Sequence, residues 1–186
     1  MYIKNEEMNE IIIKKSRFIS YSFRVNNINE VNQKLNIIRV EHGSATHVCY
    51  AYKINQLIKF YDDNEPAGSA GKPILNIIEK HNLNHVLVVI VRYFGGIKLG
   101  IGPLTRAYLK SANQVIISSG QEEPTFLYEI SFDYQFINEI EKKLLTYQIV
   151  NKEINQICHY QLYLHGEEDL KTIKHLITNI TCLNNE

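Results

Sequence analysis

Val86-Leu87-Val88-Val89-Ile90-Val91-Arg92-Tyr93-Phe94-Gly95-Gly96-Ile97-Lys98-Leu99-Gly100-Ile101-Gly102-Pro103 is the stretch on which the reading of this chain turns. Its first six residues are an unbroken aliphatic run, mostly β-branched, of the length expected for a strand buried on both faces. Gly95, Gly96, Gly100 and Gly102 then fall close together with Lys98 among them, and Pro103 opens an amphipathic pattern. Leu104, Ala107, Tyr108, Ser111 and Val115 share one face of that pattern, Arg106, Lys110 and Asn113 lie opposite, and Gly120 ends it. The order is buried strand, glycine-rich cationic loop, helix. Glycines allow close backbone approach, and a helix start presents unpaired N–H groups at a positive dipole end, so the pattern suits an anion.

A second glycine loop lies upstream, in Asp62 to Lys72 (DDNEPAGSAGK). Gly68-Ser69-Ala70-Gly71-Lys72 resembles the end of a nucleotide P-loop but fails the motif: Glu65 stands where the first glycine belongs and Pro73 where Ser or Thr would hold magnesium. The Gly95 to Gly102 spacing does not fit a dinucleotide fingerprint either. Both loops precede a helix carrying proline near its start, so two backbone anion sites could share one patch. Asp62, Asp63 and Glu65 are a candidate acidic-loop site for a divalent ion or acid/base work, set against the commoner fate of loop acids, solvation. His47 and Cys49 alternate on a predicted strand without further ligands at metal-site spacing, so packing is the favoured reading and no metal is expected.

Working outward, Ile11 to Val25 reads as a strand or bent pair of strands. A helix follows, capped by Asn29 and closed by Gly43, with Val31, Leu35 and Ile38 on its core face. Thr46–Lys53 and Leu57–Tyr61 read as strands joined at Asn55-Gln56, and Pro73 starts a short helix with Ile74, Ile77, Ile78 and His81 on one face. The polar, breaker-containing Gln121-Glu122-Glu123-Pro124 predicts a boundary, giving domains 1–122 and 123–186. Beyond it the expected order is strand (Phe126–Phe132), helix (Tyr134–Tyr147), strand (Ile149–Ile154), strand (Ile157–Leu164), helix (Leu170, Ile173, Ile177) and a last strand near Ile180 to Leu183. This βαββαβ order is ferredoxin-like, and the class is α+β.

The net charge of zero conceals an asymmetry. Residues 1–120 carry 15 Lys/Arg against 9 Asp/Glu, and residues 121–186 carry 5 against 11. Between Pro66 and Gly120, six cations (Lys72, Lys80, Arg92, Lys98, Arg106 and Lys110) face a single acid, Glu79. Such a surface attracts polyanions. The three cysteines, odd in number and widely spaced, fit reduced thiols better than disulfides. An acidic N-terminus without an apolar segment, and no membrane-length apolar run, predict a cytoplasmic protein.

Four stretches in order, Lys14–Ile19 (KKSRFI), Ala45–Tyr52 (ATHVCYAY), Asp62–Leu75 (DDNEPAGSAGKPIL) and Val89–Gly102 followed by Leu104–Tyr108 (LTRAY), resemble the IMPACT/YigZ family of small cytosolic proteins. The match covers the first domain almost throughout and the second only in element order. The resemblance implies a first domain like the second domain of a small-subunit ribosomal protein and domain IV of elongation factor G, with a left-handed βαβ crossover, and a second domain like domain V of elongation factor G. It implies a nucleic-acid- or ribosome-associated regulator of translation. Eukaryotic members inhibit a translation-control kinase through an extra N-terminal domain, for which too few residues precede Lys14 here. Three positions depart from the family pattern. Asn64 stands for an expected Gly, Val48 for the second His of Thr-His-His-Cys, and Pro103 for a Gly, which removes one N–H from the helix start.

The expectation is thus a non-enzymatic, cofactor-free protein whose RNA- or ribosome-binding face comprises Lys72, Arg92, Gly95, Gly96, Lys98, Gly100, Gly102, Arg106 and Lys110, with Tyr93, Phe94 and Tyr108 as rings to stack on bases, core packing being the favoured reading of Tyr108. Two rivals stay open. One is an enzyme acting on a phosphorylated small molecule, with the glycine loops as cradle and Asp62, Asp63 or Glu65 holding the ion. The other is a protein-interaction module whose acidic second domain docks a basic partner.

Overall fold

The computed structural model describes residues 1–183 and divides the chain into two compact units, Met1–Glu122 and Glu123–Glu186. In the first unit the order is β1 (Tyr2–Ile3), β2 (Glu7–Ile13), β3 (Ser16–Arg24), α1 (Ile28–Glu41), β4 (His47–Ile54), β5 (Leu57–Tyr61), α2 (Gly71–Lys80), β6 (Val86–Tyr93), α3 (Ile101–Ser119) and β7 (Gln121–Glu122). Five strands form one sheet in the order β2-β3-β6-β4-β5, every neighbouring pair antiparallel, while β1 and β7 pair separately.

The aliphatic run is continuous because β6 is the central strand and feeds two cores. Leu87, Val89 and Val91 meet Val31, Leu35 and Ile38 of α1 on one face, and Val86, Val88 and Ile90 meet α2 and α3 on the other. Burying six such side chains is worth about 9–18 kcal/mol, at roughly 1.5–3 kcal/mol each.

Several boundaries move for local reasons. Ile11 to Val25 is a hairpin, not one element: Lys14 and Lys15 take φ of 45° and 67°, and Ile13 pairs with Ser16. Two consecutive positive φ values match the type I′ turn, whose twist suits a two-residue hairpin. Asn27, not Asn29, caps α1: its side chain accepts from the Glu30 N–H at 3.0 Å, and the Glu30 carboxylate reaches back past the cap to accept the Asn26 N–H at 2.9 Å, one residue earlier than in a capping box. Both glycine-loop helices start earlier than their prolines, α2 at Gly71 and α3 at Ile101, with Gly100 (φ 79°) as the cap of α3. Asn113 does not stand free on the outer face, because its side-chain oxygen bonds His81 at 2.9 Å and ties α3 to α2.

The second unit comprises β8 (Phe126–Asp133), a short 3₁₀ turn running into α4 (Ile137–Lys143), β9 (Ile149–Glu153), β10 (Ile157–Leu164) and β11 (Ile177–Cys182). Its antiparallel sheet has the order β11-β8-β10-β9, the order a split βαβ chain gives. The expected second helix is absent. Two 3₁₀ turns, Glu167–Leu170 and Lys174–Leu176, take its place, and Ile177 begins β11. Leu170, Ile173 and Leu176 are the buried residues, and their spacing of three eclipses on a 3₁₀ path where an α-helix would fan them apart. No helix among the described residues is long and apolar enough to cross a membrane.

Candidate nucleic-acid interface

The acidic loop holds itself together. One Asp62 oxygen accepts the N–H groups of Ala70 and Gly71 at 3.0 and 2.7 Å, and the other accepts that of Gly68 at 2.8 Å. These are the amides that a P-loop would offer to phosphate, so an internal carboxylate already fills the Gly68–Gly71 anion site. Gly71 is required by proximity, since a Cβ there would lie 2.7 Å from the Tyr61 nitrogen. Asp63 accepts the Val48 N–H at 2.6 Å. Asp63 and Asn64 both adopt positive φ, 45° and 64°, so Asn64 performs the backbone role expected of glycine.

Glu65 is buried, not solvated, with 8% of its surface exposed. One of its oxygens accepts from Arg92 Nη1 at 2.6 Å and from the Tyr108 hydroxyl at 2.8 Å. Tyr108 in turn lies 3.4 Å from the Cys49 thiol, which donates to the Asp62 carbonyl at 3.0 Å. Burial, reinforced by the neighbouring carboxylates, pushes the Cys49 thiol well above its ordinary range, although the bond to Tyr108 opposes the shift. Burial, then the proximity of Cys49 and Glu65, does the same to the Tyr108 phenol. Both therefore stay protonated at neutral pH.

These contacts revise two groups of candidate residues. Asp62, Asp63 and Glu65 are each committed to protein donors, and among the described residues no three His, Cys, Asp or Glu side chains are grouped to hold a metal ion. Of the enzyme reading, the Gly68 half of the phosphate cradle and the acids meant as ion ligands are taken up internally, while the second glycine loop is not. Arg92 was expected to be an open phosphate-contacting cation. It is 5% exposed and neutralised by Glu65, because its position on central strand β6 points it inward between the rings of Phe18 and Phe94.

The second glycine loop is different. Gly95 is pressed against the β2–β3 turn, where a Cβ would lie 2.0 Å from the Lys15 carbonyl carbon, and its N–H is taken by Ser16 Oγ at 3.2 Å. Gly96 and Gly100 need glycine for conformation instead, with φ of 82° and 79°. Gly102 lies in the first turn of α3, whose N-terminus has no side-chain cap. Lys98, Arg106 and Lys110 are exposed, as are Lys72 on α2 and Lys14 and Lys15 on the adjoining hairpin turn. None of these six makes an ion pair among the described residues; elsewhere on the unit Arg17, Arg24 and Lys34 are paired with Glu10, Glu122 and Glu6, and Lys4, Arg39, Lys59 and Lys80 are exposed and unpaired as well. Sequence reasoning missed Lys14 and Lys15. Their doubled position in KKSRFI was visible, but nothing local placed that turn against Gly95.

The two loops meet, although not through Gly68–Lys72. A cleft of about 480 Å³ lies between them, lined by His47, Glu65, Arg92, Phe94, Lys98 and Leu104 among others. His47 Nδ1 bonds the Asp63 carbonyl at 2.7 Å and its Nε2 lies 3.7 Å from Glu65. Tyr93 is occupied by His42 at 2.8 Å, leaving Phe94, 45% exposed, as the ring open to solvent at this end.

Comparison with known proteins agrees with this architecture. The Impact N-terminal domain profile matches residues 14–116, a span that contains both loops, the buried Glu65–Arg92 pair and most of α3. The chain belongs to the IMPACT family. It is 37% identical over 171 residues to the IMPACT family member YvyE of Bacillus subtilis, covering 89% of this chain and 79% of that one. It is 34% identical over 139 residues to the IMPACT family member YigZ of Escherichia coli, covering 71% and 68%. Among solved structures, a crystal structure described as a hypothetical protein aligns over 100% of this chain and 97% of its own, with a TM-score of 0.64 and 26% identity.

Proposed function

We propose that this IMPACT family protein binds structured RNA, free or within the ribosome, and regulates translation by that binding, without chemistry of its own. The carrying observation is the set of exposed cations, unpaired among the described residues, at the second glycine loop: Lys98 within it, Arg106 and Lys110 on the helix it opens, and Lys14 and Lys15 on the turn that Gly95 packs against, with Lys72 exposed on α2. Exposed cations without carboxylate partners are free to release counterions from a phosphate backbone, and counterion release dominates nucleic-acid affinity. The exposed glycine backbone lets a phosphate approach, and Phe94 offers a ring to an unstacked base. Backbone and shape recognition is the expected mode, since the features that carry the reading are cations and backbone amides suited to phosphate.

The reading is tested by the salt dependence of RNA binding. The logarithm of affinity should fall linearly with the logarithm of salt concentration, and replacing both Lys98 and Arg106 by Ala should reduce the slope by about two. Affinity indifferent to salt, or a slope unchanged in the double variant, overturns it.

A further inference from the structure

We infer that the cleft between the two loops is a binding site for a single nucleotide, held by its phosphate at the start of α3 and by its base against Phe94; the inference rests on the RNA-binding reading and names what one residue of that RNA does. At about 480 Å³ the cleft falls within the usual range of small-molecule sites, roughly 300–1,000 Å³. Its two ends differ in chemistry, and each selects part of the ligand.

The mouth selects an anion. Gly100 and Ile101 line it, and α3 is a nineteen-residue helix with no side-chain cap. The N–H groups of Ile101 and Gly102 have no intrahelical acceptor, and they sit at the positive end of the helix dipole. Lys98 is beside them and carries no ion pair among the described residues. The Gly68–Gly71 loop cannot serve in this way, because Asp62 occupies its amides.

An independent observation comes from the floor. Arg92 lines the cleft while 95% buried, and its Nε is a buried donor without a partner. That nitrogen is itself closed off from the cleft, and the part of the pair that meets a ligand is its partner: the Glu65 side chain is 4% exposed and lines the cleft, and Arg92 and Tyr108 both bond its Oε1, leaving Oε2 without a hydrogen bond. Buried polar groups in folded proteins are nearly always satisfied, so this free carboxylate oxygen signals a missing donor. Beside it is His47, whose Nδ1 bonds the Asp63 carbonyl and whose Nε2 lies 3.7 Å from that oxygen. An inorganic anion would satisfy the mouth but leave the Glu65 acceptor unused. A nucleotide brings ribose hydroxyl and base amino donors to it and a flat ring to Phe94, Leu99 and Leu104.

The test uses the full chain and three probes: adenosine monophosphate, inorganic phosphate and a stem-loop oligoribonucleotide with a single-stranded loop. Binding is followed by calorimetry and by amide chemical shifts. Adenosine monophosphate should bind at least tenfold more tightly than phosphate, should compete with the oligonucleotide, and should shift the Ile101 and Gly102 amides. Phe94→Ala and Lys98→Gln, both at exposed positions, should weaken it about fivefold and tenfold, while Lys34→Ala on α1 should leave it unchanged. Oligonucleotide binding without mononucleotide binding overturns the cleft and leaves the RNA-binding surface standing; loss of both overturns both. Phosphate bound as well as the mononucleotide, or mononucleotide affinity insensitive to Phe94 and Lys98, also overturns the inference.

Discussion

Replacing Asp62 by Ala should release the Gly68–Gly71 loop and turn it into an external anion site. Three backbone N–H groups bond the carboxylate, at 2.7, 2.8 and 3.0 Å. Hydrogen bonds to a charged acceptor contribute about 1.5–3 kcal/mol each, and partly buried donors left without a partner cost a comparable amount. Water will reach some of the freed amides, so a local loss of about 3 kcal/mol is the conservative expectation. That corresponds to about a hundredfold larger opening equilibrium, since 1.4 kcal/mol is a factor of ten. Native-state hydrogen exchange reads it directly as lost protection at Ala70 and Gly71. Asp62→Asn should retain part of the effect: an amide oxygen can still accept from Ala70 and Gly71, but its NH₂ then faces the Gly68 N–H. The distinguishing result is rescue. In Asp62→Ala, sulfate should restore protection; at ten times its Kd an anion stabilises by about 1.4 kcal/mol, about tenfold in protection. Wild-type protein, whose site is full, should show no such response at these amides. Protection within threefold of wild type in Asp62→Ala, or an equal sulfate response in both proteins, would refute the reasoning.

Three other perturbations follow from the same contacts. Glu65→Ala or Arg92→Ala should each destabilise the first unit by about 3–5 kcal/mol, because one partner of a buried pair is left uncompensated, while Glu65→Leu with Arg92→Met should cost less than either single change; thermal unfolding of the four proteins checks the ordering. Gly95→Ala should be far worse than Gly96→Ala: the added carbon meets the Lys15 backbone at 2.0 Å in the first case and open space in the second, where only the left-handed conformation costs about 1–2 kcal/mol. The raised Cys49 and Tyr108 groups make alkali destabilising. The unfolded thiol ionises near pH 8.5 and the phenol near 10 while the folded groups stay protonated, so stability is intact below about pH 8.5 and falls above it, by up to about 1.4 kcal/mol per pH unit for each group. Cys49→Ala should remove the earlier part of that decline in a pH series of denaturant melts.

The order of elements was legible because hydrophobic period is a local property. Val86–Val91 announced a strand buried on both faces, and Gly120 announced the end of α3. What the sequence hid was partnership across distance. Arg92, counted among the surface cations, lies next to Glu65 only because β6 runs beside β4, which brings the acidic loop to its end. Asp62 resembled a ligand-binding acid because its partners, six to nine residues downstream, are amides that no side-chain pattern marks. The second-unit helix failed for a subtler reason: Leu170, Ile173 and Ile177 suit a 3.6-residue period, but Leu176 in place of Ile177 makes the period three, and only packing decides between them.

The place of β6 has a consequence for how the chain is made. It is the last strand of the five-stranded sheet to be synthesised and the middle one in space, between β3 and β4. Until Tyr93 has been added, β3 and β4 have no strand between them, and the apolar faces meant for Val86 to Val91 have nothing to close on. At about 5–20 residues per second, the interval from the end of β4 at Ile54 to the end of β6 lasts on the order of 2–8 seconds. During it the nascent protein carries two unpaired β edges, so a synonymous slow codon within this interval should raise aggregation without altering a single contact of the finished molecule.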